Sequence, residues 1–111
     1  MAFKEFYTLE SGDVADGGNW SNEYKPDENV VIKRIYVVEK SGRRMYASYL
    51  TIQVENTAIT HDKIPPSVLG TDRSNAVDLD IALKAQQKVR FSFENHEGVT
   101  VNFFLVLELH K

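Results

Sequence analysis

The strongest constraint on the fold is an alternation of apolar and polar residues that runs through the final third of the chain. From Val77 to Leu83 the apolar positions are Val77, Leu79, Ile81 and Leu83, with Asp78 and Asp80 between them. Residues two apart share one face of a β-strand, so this spacing predicts a half-buried strand. The segment "IALKAQQKV" taken alone reads as helical. A helix, however, would bring Leu79 and Leu83 together and swing Val77 and Ile81 onto other faces. After the polar connector "KAQQK", Val89, Phe91 and Phe93 alternate with Arg90, Ser92 and Glu94, which predicts a second strand. "NHEG", Asn95 to Gly98, reads as a turn in which Gly98 supplies positive φ. Beyond it, Val99, Val101, Phe103, Leu105, Leu107 and Leu109 hold the same period. Phe104 and Val106 lie on the opposite side and make the middle of that strand apolar on both faces. Such a strand belongs at the centre of a sheet, its second face covered by another element or another subunit.

Upstream, "VVIKRIYVVE" (Val30 to Glu39) and "MYASYLTIQVEN" (Met45 to Asn56) predict two more strands. "KSGRR" lies between them with Gly42 at the turn, which predicts an antiparallel hairpin. Tyr49 is out of phase with Leu50, Ile52 and Val54 and is expected to face away from the core. "FKEFYTLE" predicts a short first strand. Two irregular segments remain, Ser11 to Asn29 and Thr60 to Asn75, both longer than ordinary connections. Antiparallel strands with two long crossovers predict one all-β domain over residues 1–111, an antiparallel β-sandwich of Greek-key or jelly-roll type, or a small barrel. A chain of 111 residues buries roughly 65% of its unfolded surface and needs no disulfide or metal to fold.

Composition narrows the function classes. The net charge of −3 argues against a phosphate-binding surface, although "KSGRR" is locally basic. The absence of cysteine removes disulfides, zinc–thiolate sites and thiol nucleophiles. "MAFKEFYTLE" alternates charge with aromatics and lacks the apolar core of a signal peptide, and no run reaches membrane-span length. A location in the cytoplasm or in a virion is therefore expected. His61, His96 and His110 have no partner at metal-ligand spacing, and the last two are expected to be solvent-exposed. Asp13, Asp16 and Asn19 share a Gly-rich loop and are the candidate calcium ligands, but "DVADGGN" lacks the alternating ligands and closing Glu of an EF-hand loop. Asp78 and Asp80 share one side of their strand, as the wet face of a sheet does. No G-x-S-x-G elbow or phosphate loop is present. No enzymatic activity and no cofactor are expected.

Aromatics are more informative. Trp20, Tyr24, Tyr36, Tyr46 and Tyr49 are not all required by the core stripes, and exposed Trp and Tyr stack on sugars or anchor interfaces. Trp20 reads equally as a plug closing one end of the sandwich. "VDLDIALKAQQKVRFSFEN", followed by a long apolar strand, resembles the second half of small viral β-sandwich proteins: single jelly-roll capsid, head-decoration and spike subunits. The resemblance spans roughly Val30 to Lys111 and rests on strand spacing. It implies a non-enzymatic virion protein that assembles with copies of itself and with other virion proteins. The expected interface residues are Phe104, Val106, Tyr46 and Tyr49. The alternative expectation is a carbohydrate-binding module with Trp20 and Tyr24 at a loop-end site.

Overall fold

The computed structural model of the chain describes residues 2–55, 57–58 (backbone only), 64–66, 69–70 and 76–111. Strands, in chain order, are β1 (Phe3–Glu10), β2 (Asn19–Tyr24), β3 (Val30–Glu39), β4 (Tyr49–Val54), β5 (Thr57–Ala58), β6 (Ile81–Leu83), β7 (Val89–Glu94) and β8 (Phe103–His110). They form two four-stranded sheets, β1-β8-β3-β6 and β2-β7-β4-β5, and every pairing is antiparallel. Pairs β1–β8, β2–β7, β3–β6 and β4–β5 are nested in sequence like the rungs of one long hairpin. Rolling that hairpin up adds the β8–β3 and β7–β4 contacts and divides it between two sheets. This is the jelly-roll arrangement of a β-sandwich.

The alternation sets which side chains enter the core. Phe103, Leu105, Leu107 and Leu109 of β8 are fully buried against Val89, Phe91 and Phe93 of β7. Ile32, Ile35 and Val37 enter from β3, and Leu50 and Ile52 from β4. At the centre the Phe93 and Phe103 rings meet at 4.6 Å between centroids. Phe91, Phe93 and Phe103 are each no more than 1% exposed; fully burying one such side chain contributes about 1.5–3 kcal/mol.

Several expectations change. "KSGRR" does not close a hairpin: β3 and β4 lie in different sheets, so the segment crosses from one layer to the other. Its course is set by the Glu39 carboxylate, which accepts from the Ser41 N–H at 2.8 Å, the Arg43 N–H at 3.1 Å and the Ser41 hydroxyl. The fourth strand begins at Tyr49, not Met45. Met45 has φ of 56° and a buried side chain, and Ser48 N–H donates to its carbonyl in a turn. Only Ile81–Leu83 of the Val77–Leu83 stretch joins a ladder, because Asp80 takes φ of 52°. The long last strand starts at Phe103, with Val101 forming a single bridge to Val14. Inside the supposedly irregular Ser11–Asn29 segment, residues 19–24 form β2.

At the loop end, Asn95 is fully buried and ties the segments together. Its Nδ2 donates to the Val14 and Val99 carbonyls, both at 2.8 Å, and its Oδ1 accepts from Glu97 N–H at 2.9 Å. Among the described residues no helix is long and apolar enough to cross a membrane.

Candidate interaction surface

A sandwich buries one face of each sheet and leaves the other outside, where polar residues are the rule. The β2-β7-β4-β5 sheet obeys it. By register its outer face carries Ser21 and Glu23 beside Arg90 and Ser92, and those beside Thr51 and Gln53. The β1-β8-β3-β6 sheet does not. Its outer face carries Phe6 and Thr8 on β1, Phe104 and Val106 on β8, and Tyr36 and Val38 on β3. Phe3 and Phe6 are each 53% exposed and Val38 37%, so this apolar surface is open to solvent. Lys40 Nζ lies 4.8 Å from the centre of the Phe104 ring and 2.6 Å from Glu10 Oε1, placing opposite charges at one end of it.

At the other end of the same face sits a charge that water does not reach. Glu108 is fully buried although it points outward from the sheet. Register places Phe6 opposite it on one side and Arg34 on the other. Its Oε2 accepts from Arg34 Nη1 at 2.8 Å and lies 2.7 Å from His110 Nε2, while Oε1 accepts from the Tyr36 hydroxyl. Arg34 reaches Asp78 through Nη2 at 2.8 Å, and Lys33 extends the network to Asp80 at 2.9 Å. Burial opposes the Arg34 charge, but the Asp78 and Glu108 carboxylates outweigh it and raise the guanidinium pKa above its ordinary value. The rings of Phe3, Phe6 and Tyr36 form the roof: Phe3 to Phe6 at 5.0 Å, Phe6 to Tyr36 at 6.3 Å, and Phe3 edge-on to His110 at 5.7 Å. A buried carboxylate is tolerated only with partners of this kind.

The expected site residues separate. Phe104 and Val106 are half-buried on this face, as the apolar second side of β8 predicts. Tyr49 lies on the outer face of the other sheet against His96, with rings 5.2 Å apart, and Tyr46 is 67% exposed in the β3–β4 connection. These four residues therefore form no single patch. Trp20 and Tyr24 do not make a loop-end stacking platform either. Both sit on β2 in phase with the inward Phe93 and Val89. Trp20 packs edge-on against Phe103 at 5.3 Å, and the buried Tyr24 ring lies 4.7 Å from Tyr7.

Asp13 accepts from Asn102 Nδ2 at 3.1 Å and Asp16 from Gly98 N–H at 3.0 Å, while Asn19 begins β2. Among the described residues no group of three or more His, Cys, Asp or Glu is placed to hold a metal. His110, expected in solvent, has a side chain only 12% exposed. His96 is exposed beside Glu94, and His61 lies outside the described residues. Sequence reasoning missed the Arg34–Tyr36–Glu108–His110 cluster. The available signal was that Glu108 and His110 continue the phase of Phe104 and Val106.

No model of a known protein family matches the chain, and no curated protein matches it.

Proposed function

We propose that this is a non-enzymatic structural protein that assembles as a homo-oligomer, and that the outer face of the β1-β8-β3-β6 sheet is where subunits meet. The observation that carries this reading is the asymmetry of the sandwich: among the described residues one outer face is mostly polar, with Tyr49 at its end, and the other is aromatic and aliphatic over a desolvated ion network. Contiguous exposed apolar surface on a small domain marks an interaction site. A second copy is the favoured occupant because the patch carries both charges of the Lys40–Glu10 pair at its edge, so two such patches can meet without like-charge opposition. The jelly-roll strand order agrees with a virion setting, as a capsid, minor capsid or decoration subunit, but fold alone does not carry function.

Phe104→Asp tests the reading. Lys40, already over the Phe104 ring, compensates the new carboxylate in an isolated subunit, whereas an interface would desolvate it. Loss of assembly by light scattering, with circular dichroism unchanged, is the expected result. A folded variant of unaltered oligomeric mass contradicts the face as the interface.

A further inference from the structure

We propose that two copies of this chain join edge to edge through β1, antiparallel, about a two-fold axis passing between the two Thr8 residues. This deepens the assembly reading and rests on it.

The hydrogen-bond phase of β1 is the starting point. Ala2 and Lys111 exchange both backbone bonds, at 3.2 and 2.8 Å, and Ser11 N–H donates to Phe103 at 3.0 Å. Lys40 N–H donates to Asn102 on the opposite side of β8 at 2.8 Å, which fixes the alternation independently. In an antiparallel ladder every second residue turns its N–H and C=O toward a given neighbour. With the register Glu5↔Leu109, Tyr7↔Leu107 and Leu9↔Leu105, those three residues face β8. Phe6, Thr8 and Glu10 turn theirs away from it. Among the described residues no strand pairs with that edge.

Natural proteins blunt free edges by keeping them short or by bulging them. Of the four edge strands β5 has two residues, β6 three and β2 six, the exposed ones among these six being polar, whereas β1 has eight, with Phe3, Phe6 and Tyr7 exposed along it. Its irregularity is confined to Phe3/Glu5 and leaves Glu5–Glu10 in unbroken register.

The set of outward residues selects the pairing. Phe6, Thr8 and Glu10 are centred on Thr8, so a two-fold axis there uses all of them: Thr8 opposite Thr8, Phe6 opposite Glu10, Glu10 opposite Phe6. That register forms about six backbone hydrogen bonds and opposes no like charges. Side chains on each face stay on that face, since the paired residues share parity. The two sheets become one, and the two apolar outer faces become one surface. Area supplies the second argument. Eight residues by four strands give the outer face a flat projection of at most about 500 Å², and edge pairing joins two such faces into one surface of about twice that projection.

The test combines native mass with amide hydrogen exchange of the unmodified protein, then of Thr8→Pro. Proline at this position removes an N–H that β8 does not use, and edge strands tolerate it. The expected result is an assembly in which the Phe6, Thr8 and Glu10 amides exchange at least about tenfold more slowly than at monomeric dilution. Thr8→Pro should be folded, lose that protection at Phe6 and Glu10, and fall to smaller species. An assembly whose Phe6, Thr8 and Glu10 amides exchange as fast as in dilute monomer overturns edge pairing and leaves the face reading intact. So does a folded Thr8→Pro of unchanged mass. Should Thr8→Pro not fold, the exchange of the unmodified chain decides alone. If Phe104→Asp keeps its mass while Thr8→Pro loses it, the edge stands and the face reading fails. A monomer at every concentration overturns both.

Discussion

Truncating Trp20 separates the assembly reading from sugar binding more sharply than any other single change. The indole is only partly exposed and packs edge-on against Phe103, 5.3 Å between ring centroids, and Phe103 in turn meets Phe93 at 4.6 Å. Trp20→Ala therefore removes one side of the aromatic stack at the centre of the sandwich. Large aromatic-to-alanine changes in cores cost about 3–5 kcal/mol, and the partial exposure of Trp20 places it near the lower end, about 3 kcal/mol. An unfolding entropy of about 2.1 cal/mol/K per residue converts that into a Tm decrease of roughly 13 °C for a chain of this length. Thermal and urea unfolding of native and variant protein measure it, with an unchanged urea m-value confirming that the denatured state is not the cause. A Trp20 held out for a sugar would give a different result: a Tm within about 4 °C of the native protein, a loss under ~1 kcal/mol. That result would refute the packing argument and restore Trp20 as a ligand contact.

Three further outcomes follow from the geometry. Gly70 has φ of +105°, and an added Cβ would lie 2.5 Å from Ala76 Cα, so Gly70→Ala should cost at least about 2 kcal/mol in chemical denaturation. Asn95→Ala removes a fully buried amide that donates to the Val14 and Val99 carbonyls and accepts from the Glu97 N–H, and should cost about 1–3 kcal/mol, whereas Ala in place of the exposed Asn22 should cost under ~0.5. For Glu39, burial opposes ionisation, but the Ser41 hydroxyl and the Arg43, Asn102 and Ser41 N–H groups outweigh it and hold the pKa below the ordinary carboxylate range. Its contribution to stability is then complete above the ordinary carboxylate pKa, near 4.5, and is lost as pH falls through the depressed folded value. In urea titrations from pH 7 to 3, Glu39→Gln should flatten that part of the acid loss; an unchanged profile would show that Glu39 is not its source.

Much of the fold was legible because inward positions of a half-buried strand carry apolar side chains at a period that no helix reproduces. The Val30–Glu39 strand matches its expected bounds, and β7 and β8 follow from Phe91, Phe93, Phe103 and their companions. What failed has physical reasons. β2 was hidden because Asn22 occupies an inward-phase position near the sandwich edge, where exposure removes the need for an apolar residue. The ends of β4 and β6 were overextended because Met45 and Asp80 take positive φ, which residue type alone does not announce. "KSGRR" resembled a hairpin because local turn chemistry is blind to which sheet the next strand joins. Of the site, Phe104 and Val106 were legible from β8 alone. Arg34, Tyr36 and Glu108 were not, because they meet only when β3 lies beside β8, more than half a chain away in sequence.

The most direct test of the central claim is the mass of the unmodified protein in solution, by light scattering across a hundredfold range of concentration. An apolar outer sheet face that serves as an interface predicts a discrete assembly that dissociates on dilution. A single monomeric mass at every concentration would contradict it.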